Sequence, residues 1–140
     1  MQYCTTHRSP NGGDRISDPQ SALAVVALGL HSPPEDETVV LLLDHDRHGR
    51  SIAVVSGTRH ADDVIEVVEV LTGAGTDTGR IGALVVASSR PGSGVLPGDD
   101  NRWLEMSDIS ESYGVELLEW FVIGDRVACP RDLLGERPRW

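Results

Sequence analysis

Residues 81–101 read IGALVVASSRPGSGVLPGDDN. The first seven (81–87) form a short apolar run rich in valine, the composition of a buried strand. The run empties into Ser88-Ser89-Arg90-Pro91-Gly92-Ser93-Gly94, which reads as a loop. Asp100 or Asn101 can then cap a helix over residues 102–113. Trp103, Met106 and Ile109 fall on its inner side, and Gly114 stops it. A strand that delivers its C-terminal end to an irregular loop and then to a helix is where α/β proteins place binding and catalytic groups.

Working upstream, Thr72–Arg80 reads as a Gly/Thr loop, preceded by an amphipathic helix over 61–71 with Val64, Val67, Val68 and Leu71 aligned. Before it, TVVLLL (38–43) is short and continuously apolar, as in a central strand covered on both faces. A polar turn over 44–50 leads to a second strand, SIAVVS (51–56), making a hairpin. Ser17-Asp18-Pro19 opens a helix over 20–30. Downstream of the central stretch, VELLEWFVI (115–123) reads as a strand and 126–129 as its short return. Residues 1–16 are expected to be a flexible tail, 17–130 one domain, and 131–140 a polar C-terminal tail, with Trp140 either disordered or a contact for another chain. The pattern predicts an α/β (α+β) domain: a mixed sheet flanked by helices.

The composition narrows the function. A chain of 140 residues suits one domain with a real core. Its net charge of −10 and pI near 4.7 argue against autonomous DNA or RNA binding, and 4% aromatic residues leave little for base stacking. All 12 basic residues are arginine, so no lysine can form a Schiff base. Cys4 and Cys129 form no disulfide framework, which suggests a reducing compartment. The first residues lack the apolar core of a signal peptide, and the longest apolar run is too short to span a bilayer. A cytoplasmic protein without membrane contact is expected.

In order and spacing, several of these segments resemble the RadC-like branch of the JAB/MPN (JAMM) metal-isopeptidase family. Leu41–Asp44 matches the family's strand ending in Leu-Asp, and Gly57-Thr58 its strand ending in Gly-Thr. The loop from Ser88 to Asn101 lies over the His-x-His-Pro-Ser-Gly loop and its downstream Pro-Ser-x-x-Asp, with Pro91 and Pro97 on the two prolines. Residues 114–124 lie over the closing strand. The resemblance covers roughly residues 35–129 and implies a curved, mixed, cytidine-deaminase-like sheet.

In that family two histidines and an aspartate hold zinc, a glutamate acts as base and a serine assists. Here Ser88 and Arg90 stand at the histidine positions, Asn101 at the aspartate and Gly98 at the serine. The glutamate position falls near Asp36, between Glu35 and Glu37. Arginine has no lone pair to give a metal, and neutral Ser and Asn are poor zinc ligands. Without the metal, one carboxylate cannot generate hydroxide at neutral pH. The resemblance therefore implies a non-catalytic domain, with no zinc and no other cofactor. Its expected role is protein interaction or regulation, through an unknown partner or self-association. The alternative is a metal-dependent hydrolase with displaced ligands such as Asp36, His45, His48 or Asp99.

Arg90 reads either as an internal counter-ion in place of zinc, paired with Asp99, Asp100 or the Asp36 cluster, or as an exposed loop arginine. Asp44-His45-Asp46-Arg47-His48 reads either as a relocated metal site or as a solvated hairpin turn. Cys4 and His7 can ligate metal in principle, but a mobile tail preorganises poorly. Ser88, Ser89 and Ser93 lack a nucleophile elbow and a neighbouring base. Gly92-Ser93-Gly94 lacks the context of a phosphate loop.

Overall fold

The computed structural model describes residues 3–8, as backbone, and 14–140. The elements follow in order: β1 (Tyr3–Arg8), α1 (Pro19–Ala27), β2 (Glu37–Leu43), β3 (Gly49–Ser56), α2 (Asp63–Thr78), β4 (Ala83–Ser89), α3 (Asp99–Ser112), β5 (Glu116–Ile123), β6 (Val127–Ala128) and a 3-10 turn (Pro130–Leu134). They build one mixed α/β unit around a six-stranded sheet of order β1-β3-β2-β4-β5-β6. Among the described strands, only β4 and β5 run parallel.

The apolar runs of β2 and β4 are buried at every residue, because they occupy the middle of the sheet with helices on both faces. Strand alternation divides their side chains between two clusters. Val40, Leu42, Leu84 and Val86 join α2 and α3, including Trp103 and Met106. Val39, Leu41, Leu43, Ala83, Val85 and Ala87 meet Ala22 and Val26 of α1 on the opposite face.

Four expectations are corrected. First, residues 1–16 are not simply a tail. Tyr3–Arg8 pairs antiparallel with β3, Ile16 is buried, and its N–H donates to the Arg47 carbonyl at 2.8 Å. A polar strand suits a sheet edge, where one side faces solvent. The side chains of Cys4 and His7 lie outside the described residues.

Second, α2 does not stop at Leu71 but runs through the supposed Gly/Thr loop to Thr78, where Gly79 (φ 66°) ends it in the left-handed conformation. Tertiary packing overrides the low helix propensity of Gly73 and Gly75. A Cβ on Gly75 would sit 3.1 Å from Ile81, so the small residue lets the helix close on the chain entering β4. The Thr72 and Thr76 hydroxyls donate to carbonyls four residues back, at 2.7 and 2.8 Å.

Third, α3 begins at Asp99, not Arg102, behind Gly98 at φ 89°. Fourth, residues 131–140 are not a free tail. Arg131 Nε donates to the buried Glu119 carboxylate at 2.7 Å. Arg139 lies over the Trp103 ring at 4.3 Å, and Trp140 packs against the α1-side cluster. Among the described residues, no helix is long and apolar enough to cross a membrane.

Candidate functional site

The C-terminal end of β4 delivers Ser88, Ser89 and Arg90, all buried. The Arg90 N–H donates to the Ile123 carbonyl at 2.8 Å, so the sheet continues into the first loop residue. Its guanidinium turns inward, with 7% of the residue exposed. It grips Asp99 through two bonds, 2.7 Å to Oδ2 and 3.3 Å to Oδ1, and also donates to the Gly94 carbonyl at 3.2 Å. Two parallel N–H···O bonds fit the planar fork of arginine to a carboxylate.

Asp99 is fully buried and takes two further donors, the Leu96 N–H at 2.7 Å and Arg102 Nη1 at 3.0 Å. Arg102 also donates to the Pro97 carbonyl and, through Nε, to Asp62 at 2.8 Å. Thus one carboxylate closes the 90–98 loop onto α3 and is compensated by two guanidiniums. Below it, the Trp120 indole N–H donates to Ser88 Oγ at 2.9 Å, and the Arg90 guanidinium sits 5.4 Å from the Trp120 ring centroid. The space at the end of β4 is thus occupied by an indole, a guanidinium and a carboxylate.

The residues singled out from the sequence are gathered only in part. Ser88 and Arg90 come together, and Asp99, not Asp100 or the acidic run, meets Arg90. Asn101 is exposed, and its backbone N–H donates to Asp100 Oδ1. Gly98 serves as the turn into α3; a Cβ there would lie 3.2 Å from the Arg102 guanidinium. Zinc does not fit this set: the hydroxyl is engaged by an indole N–H, the guanidinium repels a cation, and the carboxamide faces solvent.

Asp36 is half-buried, and its carbonyl accepts from the Gly57 N–H at 2.9 Å. The buried carboxylate of the acidic run is instead Glu37, at 0% exposure and paired across the sheet with Ser89. Glu37 shares a face with Val39 and Leu41, toward α1, whereas Ser88 shares the opposite face with Val86. The Glu37 carboxylate accepts from the His31 backbone N–H at 2.8 Å and faces His31 Nδ1. Glu37 opens the run ETVVLLL, which is buried at every residue, so its burial follows from its place in a central strand and not from an alternating pattern. Arg102 carried no local signal, whereas Trp120 was legible as an apolar anchor of the 115–123 strand, and the structure buries it fully.

Glu37 raises the His31 pKa above its ordinary 6.5, by hydrogen bonding and then by charge, and Glu35 adds to this. A folded pKa above the unfolded one gives stability that is fully present below pH 6.5 and is lost as pH rises through the folded value. The denaturant midpoint of the wild type should therefore fall with rising pH in that window more than that of His31→Ala. Parallel curves for the two proteins would remove the proton-linked role of this pair.

The hairpin turn brings Asp44, Asp46 and His48 within 4.8 Å of one another, without His45. Asp44 Oδ1 already accepts from the Asp46 and His48 N–H groups at 2.9 Å each, and Oδ2 accepts from Arg50 Nε. Burial would raise the Asp44 pKa, but these donors outweigh it and hold the carboxyl below its usual range. The His45 ring turns toward the Gly79 carbonyl. Asp44 thus holds the turn through its two oxygens. An open cleft of about 480 Å³ lies at the far end of the sheet from Arg90; Arg47 and Glu116, which line it, pair at 2.8 Å. Burial raises the Cys129 thiol pKa to about 12, with neighbouring Glu119 adding to the shift, so the thiol stays protonated and inert at neutral pH.

Comparison of the chain with family models, curated proteins and solved structures finds no match.

Proposed function

We propose that this chain is a non-catalytic domain of the RadC-like JAB/MPN type whose role is protein interaction or regulation. The observation that carries this reading is the buried, bidentate pair between Arg90 and Asp99, at the end of the strand where the resembling family would hold its metal. A guanidinium there supplies positive charge that closes the loop, but it offers no electron pair to a cation and no route to a bound hydroxide. Asp99, named above as a displaced ligand, has its oxygens engaged by Arg90, Arg102 and the Leu96 N–H. The architecture is thus kept by an ion cluster in the absence of hydrolytic chemistry.

The partner is a protein, either another chain or a second copy. The net charge of −10 disfavours a nucleic acid. Calorimetric titration of chelator-stripped protein with zinc tests the reading. No stoichiometric site of sub-micromolar affinity is expected. A one-to-one site of that strength would overturn the proposal and favour a metal-dependent hydrolase with displaced ligands.

A further inference from the structure

We propose that the open cleft at the far end of the sheet from Arg90 binds a free α-amino acid with an apolar side chain, its carboxylate on Arg47 and its ammonium against Glu111. This inference goes beyond the non-catalytic reading above and uses none of the residues that carry it.

The cleft, of about 480 Å³, lies where the 44–48 turn, the chain entering β4 and the junction of α3 with β5 meet. Its volume is in the range of small-molecule sites. Gly82 brings these walls together. A Cβ there would stand 2.8 Å from the His45 Cα. The Gly82 N–H donates to the Leu43 carbonyl at 2.9 Å, and its own carbonyl accepts from the Glu116 N–H at 3.0 Å. The cleft is therefore framed by backbone bonds, which hold its shape before any ligand arrives.

Two residues lining the cleft break local rules, as residues of binding sites do. Among the described residues, Arg47 is the one non-glycine with a positive φ, 69°. That backbone is costly for a residue with a long side chain, and glycine would adopt it freely. Neighbours hold Arg47 there: its N–H donates to the Asp44 carbonyl at 3.1 Å, and its carbonyl accepts from the Ile16 N–H at 2.8 Å. What the strain secures is the position of a guanidinium. Arg47 Nη2 donates to Glu116 Oε2 at 2.8 Å, which orients the planar fork with one of its five donors. The side chain is 28% exposed, so its other edge is partly shielded from water and suits a carboxylate.

The second residue is Glu111, in the last turn of α3. The negative end of the helix dipole lies there, and a cation is its favoured neighbour. That turn contains no basic residue. An ammonium group set against Glu111 supplies the missing charge. A cation on one wall and an anion on another complement a zwitterion. A simple acid would meet Glu111 and Glu116 with nothing to offset them, and a simple amine would meet Arg47. The rest of the lining, Val115 with Gly82 and Gly114, carries no polar side chain, so the ligand's own side chain is apolar.

The test is an NMR titration of the full chain, following backbone amides, with L-leucine, N-acetyl-L-leucine and L-leucinamide as probes. Leucine is expected to bind one-to-one at millimolar concentrations, with shifts gathered on residues 45–47, 82 and 111–116. N-acetyl-leucine lacks the ammonium and leucinamide the carboxylate, so each should bind about tenfold more weakly, the loss of one charged hydrogen bond. Arg47→Gly removes the guanidinium and the backbone strain together, and should stay folded while losing at least about tenfold in affinity for leucine. Glu111→Gln, at an exposed position, should weaken leucine about tenfold and leave it no better than N-acetyl-leucine. This variant decides the matter if Arg47→Gly fails to fold. The proposal is overturned if leucine gives no saturable shifts in the cleft. It is also overturned if leucine binds folded Arg47→Gly or Glu111→Gln as it binds wild type, or if either blocked probe binds as well as leucine.

Discussion

Replacing Asp99 with alanine is expected to lower folding stability by ~3–5 kcal/mol, because it strips a buried guanidinium of its counter-charge. In a domain of this size that loss lowers Tm by roughly 10–20 °C. Arg90 would keep only the Gly94 carbonyl as acceptor, and the Leu96 N–H would lose its partner. The double replacement Arg90→Met with Asp99→Leu should cost much less than Asp99→Ala alone, since removing both charges also removes their desolvation penalty. Equilibrium denaturation of the three proteins measures both effects. A single-variant loss below about 1 kcal/mol would mean that the pair is not the closed, buried contact described.

The second large effect is expected at Trp120. Its indole is fully buried between the α2/α3-side core and the end of β4, and its N–H holds Ser88. Trp120→Ala should cost ~3–5 kcal/mol, through lost apolar burial and the cavity left behind. Trp120→Phe keeps most of the ring but leaves Ser88 Oγ without its donor, and should lose less than the alanine variant. Ser88→Ala leaves the indole N–H unsatisfied, at about 1–3 kcal/mol. Denaturant unfolding orders the three variants. If Trp120→Ala proved no worse than Ser88→Ala, the ring would not be the packing element that fills the space beneath Arg90.

These residues differ in how far they could be read in advance. Ser88 and Arg90 lay in a stretch whose composition already marked a strand end and a loop, and the structure puts them there. Asp99 was one of three named partners for Arg90, and only the fold chose among them: α3 starts three residues earlier than its capping residues suggested, which turns Asp99 inward and leaves Asn101 exposed. Glu37 was passed over for Asp36, although it directly adjoins the apolar run of a central strand. The docking of the last ten residues had no local signature. Their composition is polar, and their partners Trp103, Ser107, Leu117 and Glu119 lie well upstream.

By itself, the sequence determined the central strands and most of the helices, since apolar runs and 3.6-residue spacing are local properties of the chain. It also determined that the loop after β4 opens with an arginine. Only the tertiary structure decided which carboxylate that arginine meets, which face each acidic residue occupies, and that residues 3–8 and 131–140 join the body. Those outcomes depend on strand register and on contacts between segments far apart in sequence, and no local pattern encodes them.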